Sequence, residues 1–284
     1  MTTECWNWPE SVWVSSDIEL TKASSITLGI DVGSVSSQAA IICDDKLYAY
    51  SNIRSCSISS DSAKKAVDKI LECAGIKIED IQNILSTGYG RFNVPFASKA
   101  VNEITCHAEG AGLIYGDKVR TVVDIGGQDC KVIKLDENGK VVDFLMNDKC
   151  ASGAGWGMEI FADIISVPII DIGPLSLEVD KEPEPIGTIG TTCYTFAISE
   201  AIGLMRKRMS KNAILAAYCL AQAHRIYTLV GRIEIEDLVG LTGGMAKNSG
   251  ITKRLQKLTG FCVPSGRYDP QIAGAIGAAI LAAC

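Results

Sequence analysis

The sequence predicts an α/β protein built from two lobes of similar construction. Residues 26–42 read as an apolar strand, a glycine-bearing turn and a second apolar strand, and residues 121–135 repeat this pattern. When the two tracts are aligned, Asp31 coincides with Asp124, and the first glycine of each turn also coincides. Such a repeat indicates two copies of one supersecondary unit. We therefore expect two like lobes facing a cleft.

Length and composition are typical of a globular protein. The 284 residues are 47% hydrophobic with a mean hydropathy of +0.19, which allows a large buried core. The net charge of -6 and the pI near 5.1 argue against nucleic acid as a partner. No segment approaches the ~18 consecutive apolar residues of a membrane helix, and the N-terminus is polar. We expect a cytoplasmic protein that binds neither nucleic acid nor a membrane.

The eleven cysteines are spread along the chain without a CxxC pair or a secretory signal, which favours reduced thiols over disulfides. We expect Cys43, Cys73, Cys219 and Cys262, which have apolar neighbours, to be buried thiols. A metal site would have to combine cysteines that are distant in sequence.

Residues 1–25 are predicted to be an N-terminal extension. They carry Trp6, Trp8 and Trp13 around Pro9. Tryptophans in a segment without periodicity either anchor a partner protein or dock onto the chain's own body. The sequence leaves both possibilities open.

The elements between the two repeats are a strand at 45–53, an amphipathic helix at 62–74 and a short strand at 84–85 that leads into the tract STGYGR. Near the C-terminus, residues 272–279 read as a helix of small side chains, which permits close helix packing at an interlobe hinge.

The two Asp-Gly turns have the chemistry of a phosphate and magnesium site. Glycine lets backbone N–H groups approach phosphate oxygens, and the hydroxyl of Ser34 can donate to them. The carboxylates of Asp31 and Asp124 can hold Mg²⁺ through water. One such turn alone would more simply close a hairpin. The second copy and a third glycine turn, at 242–248, favour a nucleotide site instead.

The third turn has its own candidate ligands. Gly243 and Gly244 follow a strand at 237–241 and would let a ring or ribose lie against the backbone, while Lys247 or Asn248 would bind sugar or phosphate. The alternative is a plain strand-to-helix connection.

The tracts DVGS, DIGGQD and TGG occur in the order and spacing of the two phosphate motifs and the adenosine motif of the actin, Hsp70 and sugar-kinase superfamily. This resemblance implies two ribonuclease-H-like lobes, at 26–120 and 121–270, and a C-terminal connecting helix at 271–284. It also implies that residues 103–112 form the other connecting helix.

Further tracts narrow the resemblance. STGYGR, EITCHAEGA, DIGGQDCKVI, NDKCASGAG and TGGMAKN resemble the ATPases that activate 2-hydroxyacyl-CoA dehydratases and the ATP-binding subunits of benzoyl-CoA reductase, from about residue 26 to the C-terminus. The tracts WNWPESVW, AYSNIR and GMEIFADII are most similar to the Q-type subunit of bzd-type benzoyl-CoA reductase.

The resemblance assigns roles to individual residues. Gln128 orients the attacking water, and Asp129 acts with it; Asp31 and Asp129 lie near Mg²⁺. Gln38 stands where relatives often have a lysine, so this chain lacks one cationic contact near the phosphates, which Lys131 would replace. Trp156 stands where relatives often have arginine. The implied nucleotide contacts are Asp31, Gly33, Ser34, Ser36, Ser37, Asp124, Gly126, Gly127, Gly243, Gly244, Lys247 and Asn248.

Cys150 and Cys193 each stand in a loop before a predicted helix. A [4Fe–4S] cluster takes four thiolates, and this chain offers two in matching settings. From the residues alone, two buried thiols are the simpler interpretation. The resemblance instead implies one cluster that bridges two subunits, the second being another copy of this chain or a paralogue.

The function implied by the resemblance is ATP-driven electron transfer. The main expectation is a benzoyl-CoA reductase subunit that binds ATP or ADP with Mg²⁺ and passes electrons from ferredoxin to catalytic subunits. The alternative within the family is a homodimeric activator of a 2-hydroxyacyl-CoA dehydratase. A sugar or acetate kinase, or an actin-like scaffold, would share the phosphate turns without needing Cys150 and Cys193.

Overall fold

The computed structural model describes residues 7–148, 155–181, 184–190, 194–236 and 238–284, with only the backbone given at Tyr194. The chain divides into two compact units. Unit 1 comprises Met1–Pro9, Val123–Val132 and Phe144–Val263, and unit 2 comprises Glu10–Val122, Ile133–Asp143 and Pro264–Cys284.

Unit 2 contains a six-stranded sheet in the order β1-β4-β3-β2-β5-β6. Strand β2 pairs antiparallel with β3 and parallel with β5, and its central residues are fully buried. The strands are β1 (Ser11–Val14), β2 (Ile26–Val32), β3 (Ser36–Cys43), β4 (Lys46–Arg54), β5 (Asn83–Thr87) and β6 (Lys99–Ala100).

Three helices belong to unit 2: α1 (Ser59–Ala74), α2 (Glu103–Tyr115) and α8 (Ala273–Ala282). Helix α1 buries Ala63, Ala66, Val67 and Ile70 on one face, which matches the amphipathic pattern.

Helices α2 and α8 touch backbone to backbone. A Cβ atom added at Gly110 would lie 2.0 Å from the Ala273 carbonyl oxygen, and one at Gly277 would lie 1.8 Å from the Cys106 carbonyl oxygen. Real Cβ contacts are essentially never shorter than 3.0 Å. The small residues near the C-terminus therefore do allow close helix packing.

The second sheet has the order β10-β7-β8-β9. Its strands are β7 (Thr121–Ile125), β8 (Cys130–Leu135), β9 (Val141–Asn147) and β10 (Val239–Thr242). The helices of unit 1 are α3 (Gly155–Ile165), α4 (Ile169–Glu178), α5 (Tyr194–Arg206), α6 (Lys211–Val230) and α7 (Ser249–Thr259).

Helix α6 is the buried centre of unit 1. Its Tyr218 is 1% exposed and stacks on Phe161 with ring centroids 3.9 Å apart. By length and composition α6 could cross a membrane, as could the bent pair α3 and α4 taken as one span. However, 72% of the apolar window of α6 is buried inside the protein, and a core helix meets the same criterion.

The N-terminal segment is attached to the body of the protein. Strand β1 adds an edge to the sheet of unit 2, where Trp13 stacks on Tyr50 with centroids 5.9 Å apart. Trp8 packs against the core of unit 1. Trp8 and Trp13 therefore both dock onto the chain's own body, which is one of the two possibilities that the sequence left open. Trp6 lies outside the described residues.

Candidate functional site

Asp31 lies in a tight cradle in unit 2. It is the penultimate residue of β2 and is 8% exposed. A Cβ atom at Gly88 would lie 2.3 Å from its Oδ1 atom, and one at Gly274 would lie 2.1 Å from its Oδ2 atom. The His107 Nε2 atom lies 3.9 Å from Oδ2. Two glycines thus leave room for this carboxylate, and His107 lies beside it.

The turn after β2 is supported by hydroxyl and amide groups. Ser36 Oγ accepts hydrogen bonds from Gln38 Nε2 at 2.7 Å and from Gln271 Nε2 at 2.9 Å. Because two amides donate to this oxygen, its own proton is the group that a ligand oxygen can accept. Ser37, predicted to be a nucleotide contact, is fully buried and bonds to Ser55 at 2.8 Å. Ser55 in turn donates to the Gly33 carbonyl at 2.7 Å.

The Gln38 amide is committed to the same network. Besides Ser36 it donates to Asn52 Oδ1 at 2.9 Å. Its role in this structure is to support the turn, while the adjacent Ser34 is exposed.

Unit 1 contains the matching turn, built around a buried lysine. Asp124 and Asp129 are 2% and 4% exposed, and Lys131 is 1% exposed. Lys131 Nζ lies 2.6 Å from Asp129 Oδ1 and 3.3 Å from Asp124 Oδ2. Thr242 Oγ1 donates to Asp124 Oδ1 at 3.1 Å. The single positive charge of Lys131 therefore lies against both carboxylates of its own hairpin and offsets one of their two negative charges, a pairing that the sequence did not predict.

The resemblance between the two hairpins extends to a neighbouring strand in each unit. Strands β5 and β10 both end in threonine followed by a glycine with φ +85°. A Cβ at Gly88 would lie 2.7 Å from the Val32 oxygen, and one at Gly243 would lie 2.4 Å from the Ile125 oxygen. Only glycine fits either turn. The shared Thr-Gly after a strand was the sequence signal for Gly88, which the sequence reasoning missed.

The tip of the second hairpin is bonded to the start of α3. Gly155 N donates to the Gly126 carbonyl at 2.9 Å, and Trp156 N donates to the Gly127 carbonyl at 3.2 Å. Gln128 at the same tip is exposed, and the Gly126 N–H closes the turn on the Asp129 carbonyl at 3.0 Å. Helix α3 thus begins directly on the predicted phosphate turn.

The candidate ligands of the third turn make contacts within the protein itself. Asn248 is 2% exposed and caps α7, because its Oδ1 accepts the Ile251 N–H at 3.1 Å. Its buried Nδ2 has no hydrogen-bond partner among the described residues. Gly244 starts the short 3-10 turn Gly244–Lys247, and Lys247 Nζ lies 5.5 Å from the centre of the Trp8 ring.

Cys150 and Cys193 lie outside the described residues, so their geometry is not part of the structure. By sequence, Cys193 directly precedes α5, and Cys150 precedes α3 by five positions. The described residues contain no group of three or more His, Cys, Asp or Glu side chains that could hold a metal ion.

The other cysteines divide into two groups. Cys43 and Cys219 are buried as expected, and burial raises the pKa of each to about 11. Cys73 and Cys262 are exposed, so the prediction of burial was wrong for them. Cys73 lies outside the buried face of α1, and Cys262 is exposed although its neighbour Phe261 is buried in the core of unit 1.

Comparison with known proteins identifies the relatives of this site. Residues 28–282 match the model of the BadF/BadG/BcrA/BcrD ATPase family. The chain is 39% identical to the activator of lactoyl-CoA dehydratase from Anaerotignum propionicum, over 90% of this chain and 96% of that protein. It is 37% identical to the 2-hydroxyisocaproyl-CoA dehydratase activator from Clostridioides difficile, over 90% and 94%. A benzoyl-CoA reductase subunit from Thauera aromatica is 33% identical over 77% of each chain.

Solved structures agree with these relatives. The activator of the 2-hydroxyisocaproyl-CoA dehydratase from Clostridium difficile with bound ADPNP has a TM-score of 0.84 at 36% identity, covering 90% of this chain and 94% of that one. Component A of the Acidaminococcus fermentans (R)-2-hydroxyglutaryl-CoA dehydratase has a TM-score of 0.83 at 37% identity, covering 91% and 98%.

A glucokinase of the ROK family from Streptomyces griseus shares only the fold, with a TM-score of 0.52 at 13% identity over 91% of this chain and 99% of that one. The predicted α/β fold of the actin and sugar-kinase type is confirmed.

Proposed function

The chain belongs to the BadF/BadG/BcrA/BcrD ATPase family, and from this premise we propose that it is the ATP-hydrolysing activator of a 2-hydroxyacyl-CoA dehydratase. The observation that carries the proposal is the 37% to 39% identity to dehydratase activators over 90% of the chain. The benzoyl-CoA reductase expected first has weaker support, because the Thauera aromatica protein matches at 33% over 77% of the chain. The alternative drawn from the sequence is thus the better one.

The nucleotide would be held by the glycine turns and the acidic side chains. In unit 1, backbone N–H groups of the second hairpin would donate to phosphate oxygens, and in unit 2 the Ser36 hydroxyl offers the same kind of donor. Asp31 in unit 2 and Asp129 in unit 1 each offer a carboxylate that would hold Mg²⁺ through water, since that ion keeps several of its waters. Lys131 already donates a hydrogen bond to Asp129, so a magnesium ion at this carboxylate would lie close to the positive charge of the ammonium. Gln128, exposed at the tip, orients the attacking water.

The hydrogen bonds from α3 give hydrolysis a path to the cysteine loop. A change in the hairpin tip when the γ-phosphate leaves alters the carbonyls of Gly126 and Gly127, which bind the first N–H groups of α3. Residues 149–154, which include Cys150, are joined covalently to that helix end. The tip and the cysteine loop are therefore linked within unit 1 by two hydrogen bonds and a few peptide bonds.

Cys150 and Cys193 are proposed to hold a [4Fe–4S] cluster with the same pair from a second copy of this chain. The donor set fits, since two thiolates from each of two subunits make the four that the cluster needs. In sequence Cys193 directly precedes α5 and Cys150 precedes α3 by five positions, and a helix N-terminus stabilises negative charge placed close to it. When bound, the cluster supplies one-electron transfer. Its electron donor is proposed to be ferredoxin, and the recipient is the catalytic component of the dehydratase.

Reconstitution under anaerobic conditions tests this function. The purified protein is mixed with ATP, a reductant and the catalytic component of a dehydratase for lactoyl-, 2-hydroxyisocaproyl- or 2-hydroxyglutaryl-CoA, and dehydration is measured. We expect activation with at least one of these components. Failure with all of them, together with activation of benzoyl-CoA reduction, would return the assignment to the reductase.

Substitution of the proposed ligand separates the roles of the two sites. Cys193→Ser should abolish both the iron content and the activation while leaving Mg·ATP binding close to that of the wild type. Cys262→Ser, at an exposed cysteine of the same unit, is the matched control and should change neither. A Cys193→Ser protein that keeps its iron would refute the ligand assignment.

A further inference from the structure

The N-terminal residues 7–14 lie ahead of the family match, which begins at residue 28, yet they are attached at both ends. Trp8 packs against the core of unit 1, and Lys247 Nζ lies 5.5 Å from the centre of its ring. Lys247 belongs to the third glycine turn, where the sequence places a sugar or phosphate contact. A cation over an indole ring at this distance is an attractive pair.

Glu10 and β1 provide the second attachment, on unit 2. The Glu10 carboxylate accepts hydrogen bonds from Lys65 Nζ at 2.8 Å and from the Arg54 N–H at 3.0 Å. Burial by itself would raise the pKa of Glu10, but these two bonds together with the charges of Lys65 and Lys69 outweigh burial and lower that pKa. Ser11 then pairs with Asn52 at the start of β1.

The two attachments are separated by Pro9 alone. The position of Trp8 is set by its packing against the core of unit 1. A ring held in this way can restrict the Lys247 ammonium, whose stem of four methylene groups allows many rotamers.

We propose that residues 7–14 form a strap and that Trp8 is a positioning residue which holds Lys247 ready for the nucleotide. The proposal rests on the proposed function only in that Lys247 contacts the bound nucleotide. It adds a determinant of nucleotide affinity that lies outside the residues matched by the family.

A double-mutant cycle tests the strap. The affinity for Mg·ADP is measured by calorimetry for the wild-type protein, Trp8→Ala, Lys247→Met and the variant with both changes. Each single change should weaken binding about two- to fivefold if it removes one cation–π pair and its positioning effect. The double variant should be no weaker than Lys247→Met, because Trp8 acts through Lys247. Trp8→Phe keeps an aromatic face and should restore most of the affinity.

Controls separate this inference from folding and from the proposed function. Tyr227→Ala removes an exposed aromatic ring of unit 1 and should leave the affinity unchanged. Hydrogen exchange of the Gly244–Lys247 turn, measured without nucleotide, should become faster in Trp8→Ala. Losses that add in the double variant, or unchanged exchange in the turn, would overturn the strap. A wild-type protein that binds no nucleotide would instead overturn the proposed function, and the exchange measurement would still decide whether Trp8 fixes the turn.

Discussion

Removal of the buried Lys131 charge should be among the most damaging single substitutions in the protein. Lys131→Met leaves Asp124 and Asp129 facing each other at 2% and 4% exposure without the cation between them. Breaking a buried ion pair on one side costs about 3 to 5 kcal/mol, because the remaining charge stays desolvated. This is a large part of the roughly 5 to 15 kcal/mol by which most domains are stable.

Urea unfolding followed by circular dichroism measures this loss. With a slope of about 1 to 3 kcal/mol per molar urea, the midpoint should fall by at least ~1 M. Lys140→Met is the matched control, since its bond to Glu109 is of similar length, 2.7 Å, but its side chain is 66% exposed. An exposed pair contributes about 0 to 1 kcal/mol. Asp129→Asn combined with Lys131→Met should recover part of the stability, and a Lys131→Met midpoint equal to that of Lys140→Met would refute the reasoning.

Three further predictions concern packing, pH and the nucleotide. Gly112→Ala should stabilise the protein by about 0.5 to 1 kcal/mol in thermal unfolding, because a Cβ at residue 112 meets nothing within 4 Å. Gly110→Ala should destabilise it, because a Cβ at residue 110 would lie 2.0 Å from the Ala273 oxygen. Equal effects of the two substitutions would contradict the close packing of α2 and α8. Burial raises the pKa of Cys43 from 9.0 to about 11, so the thiol of the unfolded chain ionises at lower pH than that of the folded protein. The free energy of unfolding should therefore fall as pH rises from 9.0 to about 11. Urea midpoints measured across this range should fall less in Cys43→Ala. Ser36→Ala should weaken Mg·ADP binding about two- to tenfold in calorimetry, the worth of one hydrogen bond, and unchanged affinity would remove Ser36 from the site.

The sequence predicted the hairpins well because their periodicity and turn residues are local signals. The strand–turn–strand patterns became β2–β3 and β7–β8, and Asp31 and Asp124 both occupy the penultimate position of their first strand. The helix predicted after Cys150 is α3, which begins at Gly155.

Contacts between residues that are far apart in the chain could not be predicted from the sequence. The pairing of Lys131 with two carboxylates, the place of Gly274 against Asp31, and the use of Asn248 as a helix cap depend on which side chains the fold brings together. Strand β1 was missed because four residues with partial exposure show no clear alternation.

The proposed function requires that ATP hydrolysis by this chain drives electron delivery to a dehydratase. The most direct measurement compares activation of the catalytic component by the anaerobic, reduced protein in the presence of ATP with activation in the presence of ADPNP. We expect dehydration that follows ATP and is lost with ADPNP, although both nucleotides bind. Equal activation with the two nucleotides would contradict it, because binding alone would then be enough.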